Sequence, residues 1–177
     1  MTKHMEIRIC GLGGQGVVLA GQVLGKAAVF DGLNVVQTQS YGAEARGSAA
    51  KSEIILSDTK IGFPMIRRCD VLVAMSQKSL DMYVKDLKND GILIVDEGLV
   101  EKIPSGLKAK TFRVVATKTA ENEFKSKLYA NMVMLGAMAK ISGAVSIGAL
   151  EKAIAESFPE KMKALNIKAF RKGLTLA

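Results

Sequence analysis

Three closely spaced glycines near the N-terminus form the first pattern in the sequence that indicates a binding site. Gly11, Gly13 and Gly16 form a G-x-G-x-x-G pattern between a short β-branched run and a segment with helical periodicity. Such a turn lets a phosphate or another anion approach backbone N–H groups at the positive end of a helix. Gln15 adds a hydrogen-bond donor and an acceptor within the turn. The pattern predicts an anion site, and a tight strand-to-helix turn without a ligand is the alternative interpretation.

Two classes of nucleotide-binding protein require further residues in addition to this glycine turn. A P-loop needs a lysine after its last glycine, but two valines follow Gly16, so a P-loop NTPase is excluded. A nicotinamide-binding enzyme needs a carboxylate at the end of the second strand, about 20 residues further on, to bind the ribose hydroxyls. Here the strand ends at Gln39, a weak substitute, and the next carboxylate is Glu44. The dinucleotide fingerprint is therefore incomplete.

A polar loop at residues 39–48 (QSYGAEARGS) contains one cation, Arg46. A guanidinium can bind a phosphate, a carboxylate or a neighbouring subunit through paired hydrogen bonds. An arginine that is exposed, or paired with Glu44, is an equally good interpretation. Tyr41 lies on this polar loop and is expected to make a contact rather than to join the core.

Other reactive residue types are sparse. One histidine, His4, and two cysteines, Cys10 and Cys69, are too few for histidine-based catalysis or a four-thiolate cluster. Both cysteines border predicted strands and are expected to be small buried residues. Asp96 and Glu97 follow a strand, where turn carboxylates are common, and are interpreted as structural.

Length and charge narrow the class of protein. The chain has 177 residues, which suggests a single domain (1–177), and its 49% of hydrophobic residues indicates a globular protein. The net charge of +8 arises entirely in residues 101–177, because residues 1–100 carry 11 basic and 11 acidic side chains. With no Trp and three Tyr, the aromatic residues that accompany cations in nucleic-acid modules are missing. Nucleic-acid binding is therefore not expected.

The sequence gives no sign of a membrane or secreted protein. The longest apolar run, residues 128–139, is shorter than the roughly 20 residues that a bilayer requires. The N-terminal segment lacks the basic, apolar and small-residue regions of a signal peptide. A cytoplasmic protein without membrane contact is expected.

Alternating strand and helix patterns predict an α/β fold. Short apolar or β-branched runs predict strands at residues 6–10, 35–38, 49–56, 70–75, 92–95 and 111–116, with a turn at residues 90–91. Helical spacing predicts helices at residues 15–30, from a Ser76 cap to Lys88, from a Thr119 cap to Ile141, from Ser146 to Phe158, and from Pro159 to Gly173.

The predicted architecture has three layers: a largely parallel or mixed sheet flanked by helices, with a Rossmann-like first βα turn and a helical C-terminal segment. No helix separates the second and third strands, so a hairpin there would make the sheet mixed. Parallel strands would gather the glycine turn and the loops at residues 39–48, 76–77 and 96–97 at one sheet edge. The helix at residues 128–139 is apolar nearly all round, which suggests that a partner covers it, and Asn131 within it needs a hydrogen-bond partner.

Several motifs together resemble the gamma subunit, or gamma domain, of 2-oxoacid:ferredoxin oxidoreductases, over residues 5–173. The segments that carry the resemblance are GLGGQGVV at residues 11–18 with Ala20-Gly21, QSYGAEARG at residues 39–47, DVLVA at residues 70–74, and Asn131 with Leu135-Gly136. A GGQG turn followed by an SYG-x-E-x-RG loop at this separation is much more specific than glycine spacing alone. Ser48 replaces the second glycine of the family's usual Arg-Gly-Gly, a departure that affects the local backbone.

The resemblance implies an enzyme of several subunits that decarboxylates a 2-oxoacid on thiamine diphosphate, passes electrons through iron–sulfur clusters to ferredoxin and releases an acyl-CoA. Thiamine diphosphate, magnesium and clusters would lie in partner subunits, so this chain would bind no cofactor alone and be inactive alone. This chain would have a structural role or would help to form the part of the complex that binds coenzyme A. The implied partners are alpha and beta subunits, with delta as a further candidate, and ferredoxin through the complex; a homodimer is the candidate state of the isolated chain. The sequence QTQSYG-x-EAR at residues 37–46, with Met75-Ser76-Gln77, resembles 2-oxoglutarate-type members of the family more than pyruvate-type ones.

No residue is expected to be catalytic or to bind a metal. The expected cofactor-binding residues, for coenzyme A or for a subunit interface, are Gly11, Gly13, Gly14, Gln15, Gly16, Ser40, Tyr41, Glu44, Arg46 and Gly47. Two alternatives remain open: a free-standing NAD(P)-binding Rossmann-type oxidoreductase, and a gamma-type subunit of an indolepyruvate oxidoreductase.

Overall fold

A mixed β-sheet runs through the centre of the protein. In the computed structural model, which describes residues 3–42 and 48–177, the strands are β1 (His4–Leu12), β2 (Asn34–Tyr41), β3 (Ala49–Ser57), β4 (Cys69–Ala74), β5 (Leu87–Asp96) and β6 (Lys110–Val114). Their order across the sheet is β2-β3-β1-β4-β5-β6. β3 is antiparallel to β1 and β2, whereas β4, β5 and β6 continue the sheet in parallel with β1. The expected mixed sheet, with a hairpin of the second and third strands, is confirmed.

Helices cover the two faces of the sheet unequally. They are α1 (Val17–Phe30), α2 (Gln77–Tyr83), α3 (Ala116–Phe124), α4 (Ala130–Ser142), α5 (Ile147–Ser157) and α6 (Glu160–Leu174). α1 and α3 to α6 form the layer on one face, while α2 and the connecting segments cover the other. Within the described ranges, no helix is both long and apolar enough to cross a bilayer.

The thickly covered face carries the larger part of the apolar core. Ile7 of β1 lies opposite Ile54 of β3 in the antiparallel register, and both are completely buried. Leu24 of α1 and Met132 of α4 belong to the same buried cluster. Each such side chain contributes about 1.5–3 kcal/mol relative to an exposed one, so this face supplies most of the hydrophobic stabilisation.

The thinly covered face combines apolar packing with a buried charge network. Leu72 and Leu93 pack there with Leu80 of α2. Arg8 is 2% exposed, and its guanidinium lies between two carboxylates, 2.6 Å from Glu53 and 2.6 Å from Asp86. The network joins β1 and β3 to the turn that follows α2.

The helix α4 is buried by its own chain, and the expectation that a partner covers it is wrong. Ten of its residues are buried, and α1, α3 and α6 all pack against it. The crossing of α4 and α6 is close because Gly136 and Gly173 face each other's helix: a Cβ on Gly136 would collide with the Phe170 carbonyl, and one on Gly173 with the Val133 carbonyl. Gly173 therefore serves the packing, and α6 continues to Leu174.

The predicted long helix from Thr119 to Ile141 is wrong, because the chain breaks it into α3 and α4. Thr119 lies inside α3, which ends where Lys125 adopts a left-handed backbone conformation with φ of 57°. The Ser126 side chain then accepts a hydrogen bond from the Leu128 N–H and opens a short 3₁₀ turn, Lys127–Tyr129, before α4.

The helix predicted from Ser76 to Lys88 ends early. Ser76 caps α2 as expected, with its hydroxyl accepting from the Ser79 N–H, but a 3₁₀ turn (Val84–Asp86) leads directly into β5. The turn expected at residues 90–91 lies inside β5, next to an irregularity in the β4–β5 pairing. A Cβ at Gly91 would lie 2.8 Å from the Asp70 carbonyl oxygen, so close backbone approach explains this glycine.

Candidate functional site

The glycine turn lies at the carboxyl edge of the parallel strands, as predicted. β1 ends at Leu12, and α1 begins at Val17 with Gly16 as its N-cap residue. Gly14 (φ 93°) and Gly16 (φ 72°) have left-handed backbone conformations, which glycine adopts without the steric cost that a Cβ brings. The turn thus presents backbone amides at the N-terminus of a 14-residue helix, where the helix dipole favours an anion.

Hydrogen bonds fix this turn to two neighbouring strands. The Gln15 side chain accepts from the Leu12 N–H at 2.6 Å and donates to the Met75 carbonyl at 2.8 Å, just after β4. The Gly13 N–H donates to the Ser48 carbonyl at 2.9 Å, just before β3. Gln15 therefore holds the turn through both its donor and its acceptor, and it also lines a cavity beside the turn.

Asn131 connects the turn to α4. It is 3% exposed, its amide donates to the Gly16 carbonyl at 3.2 Å, and its oxygen accepts from the Met132 N–H at 2.8 Å. A Cβ on Gly16 would collide with the Asn131 amide nitrogen. The sequence predicted only that Asn131 needs a partner; the partner, 115 residues away, could not be inferred from spacing.

Three cavities meet at Gly14. The first, about 340 Å³, is lined by the turn, the start of α1 and the β2–β3 hairpin, including Gln22, Gln39, Tyr41 and Ala50. The second, about 280 Å³, lies towards Met75, Leu99 and Thr117. The third, about 350 Å³, runs under the 3₁₀ turn to Phe158, Met162 and Asn166. An elongated ligand with its anionic group at the turn therefore has apolar and polar surfaces to occupy on several sides.

Leu128 separates the second cavity from the third and was missed by the sequence reasoning. It is 73% exposed and lines both cavities. Its exposure follows from the helix break at Lys125, because a continuous helix would have no 3₁₀ turn there. The apolar run that contains it indicated only a buried helix.

The predicted site residues divide into three groups. The turn glycines and Gln15 come together at the carboxyl edge, and Tyr41 joins them by lining the first cavity. Ser40 is exposed and precedes Tyr41 in β2, so the alternation of the strand directs it to the opposite face. Glu44, Arg46 and Gly47 lie outside the described residues.

The carboxylate of Asp96, which also lies near this edge, is structural. Asp96 is completely buried and accepts hydrogen bonds from the Thr117 N–H at 3.0 Å and hydroxyl at 2.5 Å, at the start of α3. Burial raises the pKa of its carboxyl, which these hydrogen bonds partly oppose. In residues 3–42 and 48–177, no group of three or more His, Cys, Asp or Glu side chains could hold a metal ion.

The fold and the glycine turn define an α/β protein that presents backbone amides at the carboxyl edge of its sheet, and comparison with known proteins gives its family. A family model described as pyruvate ferredoxin/flavodoxin oxidoreductase matches residues 6–176. Because this match spans nearly the whole chain, the protein belongs to that family.

Individual relatives agree with this assignment. The chain is 49% identical over 177 residues to 2-oxoglutarate synthase subunit KorC of Methanothermobacter thermautotrophicus, with 97% of this chain and 94% of the relative covered. A keto/oxoacid ferredoxin oxidoreductase gamma subunit from Geobacter sulfurreducens has a similar structure, with a TM-score of 0.87, 45% identity and 98% of each chain covered. The resemblance to gamma subunits, and the expectation of one subunit in a multi-subunit oxidoreductase, are confirmed.

A larger relative contains this fold as one part. The 2-oxoglutarate:ferredoxin oxidoreductase from Magnetococcus marinus, solved with 2-oxoglutarate, coenzyme A and succinyl-CoA bound, matches with a TM-score of 0.90 and 26% identity. The match covers 100% of this chain and 31% of that one. These similarities do not support the alternatives of a free-standing NAD(P)-binding oxidoreductase or an indolepyruvate-type subunit.

Proposed function

We propose that this protein is the gamma subunit of a 2-oxoglutarate:ferredoxin oxidoreductase and that its 177 residues act as one domain. The observation that carries the proposal is the 49% identity to a 2-oxoglutarate synthase subunit, with both chains covered almost completely. In the reaction, a 2-oxoacid is oxidatively decarboxylated, its acyl group passes to coenzyme A, and the electrons pass to ferredoxin.

Partner subunits are proposed to hold thiamine diphosphate, magnesium and the iron–sulfur clusters. Both cysteines of this chain are buried in the sheet core on its thinly covered face, so neither is placed to ligate a cluster. The proposed partners are alpha and beta subunits, with a delta subunit as a further member, and ferredoxin reached through the complex in the cytoplasm. This chain is not active alone in this scheme.

The glycine turn is the proposed coenzyme A site of this chain. Phosphate oxygens would accept hydrogen bonds from backbone amides of Gly14 and the first turn of α1, where the helix dipole favours negative charge. Tyr41 would contact the ligand in the first cavity. Arg46 and Glu44, together with Gly47, belong to the same proposal because they precede Ser48, whose carbonyl accepts from Gly13.

The chemistry supplied by the chain is binding and orientation. Gln15 and Asn131 hold the turn from two sides, so the amides are fixed before the ligand arrives. Donors that are already in place lose little conformational freedom on binding, which favours affinity. No covalent step is assigned to these residues.

Purification of the tagged chain from its own host without oxygen tests the proposal. We expect partner subunits with iron–sulfur absorption to accompany it, and the complex to oxidise 2-oxoglutarate in a coenzyme A-dependent reaction. Activity with a different 2-oxoacid would overturn the substrate assignment. A colourless chain without partners or activity would overturn the proposed function.

Gly14→Ala tests the role of the turn. A Cβ at Gly14 meets no atom within 4 Å, so the substitution alters only the left-handed backbone conformation of the turn. We expect the complex to show an apparent KM for coenzyme A raised about tenfold, with the KM for the 2-oxoacid unchanged.

Gly32→Ala is the matched control, because Gly32 has φ of 76° and equally open surroundings but lies after α1, at the opposite end of that helix. Both variants should lose about 1–2 kcal/mol of stability from the left-handed conformation. An unchanged coenzyme A KM in Gly14→Ala would remove the turn from the proposed site.

A further inference from the structure

A second surface lies at the amino edge of the sheet, opposite the glycine turn. A cavity of about 430 Å³ there is lined by Glu6, Phe63, Met65, Arg67, Arg68 and Lys88. From Glu6 to Leu12, β1 advances about 3.3 Å per residue, so this surface and the glycine turn are about 20 Å apart. We call residues 60–68, the larger part of the connection from β3 to β4, the amino-edge loop.

The amino-edge loop presents apolar side chains to solvent on a fixed base. Phe63 is 54% exposed and Met65 is 62% exposed, on either side of Pro64. Ile66, by contrast, is buried in the core of the thinly covered face, and its carbonyl accepts a hydrogen bond from the Arg8 guanidinium. Because Ile66 anchors the loop in the core, the fold itself keeps Phe63 and Met65 exposed. Exposed apolar side chains held in this way mark interaction surfaces.

Unpaired cations border these apolar side chains. The Arg67 guanidinium lies over the Phe63 ring at 5.4 Å, and Arg68 donates to the Leu87 carbonyl at 3.1 Å. In the described part of the chain, neither arginine forms an ion pair. Lys88 differs, because Asp70 at 2.7 Å and Glu6 at 3.4 Å already balance its charge. The surface therefore offers two guanidinium groups beside an apolar tip.

We propose that the amino-edge loop docks another subunit of the oxidoreductase, through a segment that places a carboxylate beside an apolar side chain. Arginine binds carboxylates in a paired geometry, and aromatic and Met side chains with Arg are enriched at protein interfaces. Charge complementarity selects an acidic partner surface. A second copy of this chain is a poorer match, because a two-fold contact sets this patch, with Arg67 and Arg68, against its own equally basic copy.

This inference rests on the proposed function, since it requires a complex, but it concerns a different surface from the coenzyme A site. Docking at the amino edge leaves the glycine turn and its three cavities open. Loss of the docking contact should therefore weaken assembly without changing the KM for coenzyme A in the complex that remains.

The test uses the complex purified through a tag on this chain. Arg67→Glu/Arg68→Glu is expected to lower the amount of retained partner subunits about tenfold, and Phe63→Ser/Met65→Ser should have a similar effect. Because Arg68 also bonds Leu87, the pair Arg67→Glu and Phe63→Ser tests the surface without breaking that hydrogen bond. Lys161→Glu/Lys168→Glu makes the same charge change on exposed residues of α6 and should retain the partners.

The outcomes separate the proposals. Full retention of partners by all loop variants would overturn the docking surface while leaving the proposed function intact. A wild-type chain that brings no partners would overturn the proposed function itself. If gel filtration shows that the wild-type chain is a dimer and the arginine variant a monomer, with partner retention unchanged, a second copy occupies the surface and the proposal is wrong.

Discussion

At the residue scale, the lack of a side chain on Gly16 lets α4 pack closely against the glycine turn. Gly16 lets the Asn131 amide approach its carbonyl, and any side chain on Gly16 would collide with that amide. Gly16 thus has two physical requirements, a left-handed backbone and close packing. The first requirement could be predicted from the glycine pattern, whereas the second depends on how α4 packs.

The two cysteines are a second case in which the surroundings determine the chemistry. Burial raises the pKa of Cys10 to about 12 and that of Cys69 to about 11, from an ordinary value of 9.0. A thiol reacts as its thiolate, so both side chains should be inert near neutral pH.

We therefore expect neither thiol to react with a disulfide reagent at about pH 8 in the folded protein. Both should react after unfolding in guanidinium, which serves as the control. Because the folded-state pKa values exceed the unfolded one, the stability associated with the protonated thiols is complete below about pH 9 and is lost as the pH rises towards 11–12. Rapid modification of the folded chain at about pH 8 would contradict this description.

At the element scale, the crossing of α4 and α6 depends on a glycine in each helix. Gly136 and Gly173 let the two backbones approach so closely that a Cβ on either would overlap a carbonyl group of the other helix. Packed backbones cannot yield as a flexible side chain can, so an added methyl group must displace a helix.

Gly136→Ala should lower the free energy of unfolding by about 3 kcal/mol, the upper end of the usual cost of overpacking. Gly148→Ala is the control: it is also a helical glycine, on α5, but its Cβ would meet no atom within 4 Å. There the better helix propensity of alanine should stabilise the protein by about 0.5–1 kcal/mol. Denaturant unfolding of both variants measures the difference, and equal effects would contradict the close crossing.

The elements also show how far the sequence determined the fold. The strands, α1 and the hairpin could be predicted because their apolar patterns have clear periods and turn residues between them. The break between α3 and α4 could not, since apolar residues continue on both sides and Lys125 has no intrinsic preference for its left-handed conformation. In the site, the glycine turn followed from the sequence, but the Asn131 contact and the exposed Leu128 required the tertiary structure.

At the scale of the whole molecule, the two faces of the sheet are held in different ways. Five helices cover one face through apolar packing, whereas the other relies partly on the buried network around Arg8. Burial by itself would lower the pKa of Arg8, but hydrogen bonds to Asp86 and Glu53 outweigh it, and the pKa is raised. The guanidinium is therefore charged and pairs with both carboxylates, and Glu53 also pairs with Lys51 at 3.0 Å.

Arg8→Met should destabilise the protein by about 3 kcal/mol, because it removes the partner of the half-buried Asp86 and leaves the buried Glu53 with Lys51, at 3.0 Å, as its remaining ion pair. Arg171→Met removes an arginine that is paired with Glu151 on the surface, and it should leave stability almost unchanged. Thermal and denaturant unfolding of both variants provide the comparison. A small effect of Arg8→Met would mean that water reaches the network in solution.

The position of β3 has a consequence for the width of the glycine-turn groove. In nicotinamide-binding folds the first two strands are neighbours, so the end of the second lies one strand from the glycine turn. Here β3 is inserted between β1 and β2, and at about 4.8 Å per strand the end of β2 lies about 10 Å from β1. The strand end that would bind a ribose is thus displaced by one strand, and the small side chain of Ala50 lines the widened groove. One inserted strand therefore changes which ligands the same glycine pattern can accommodate.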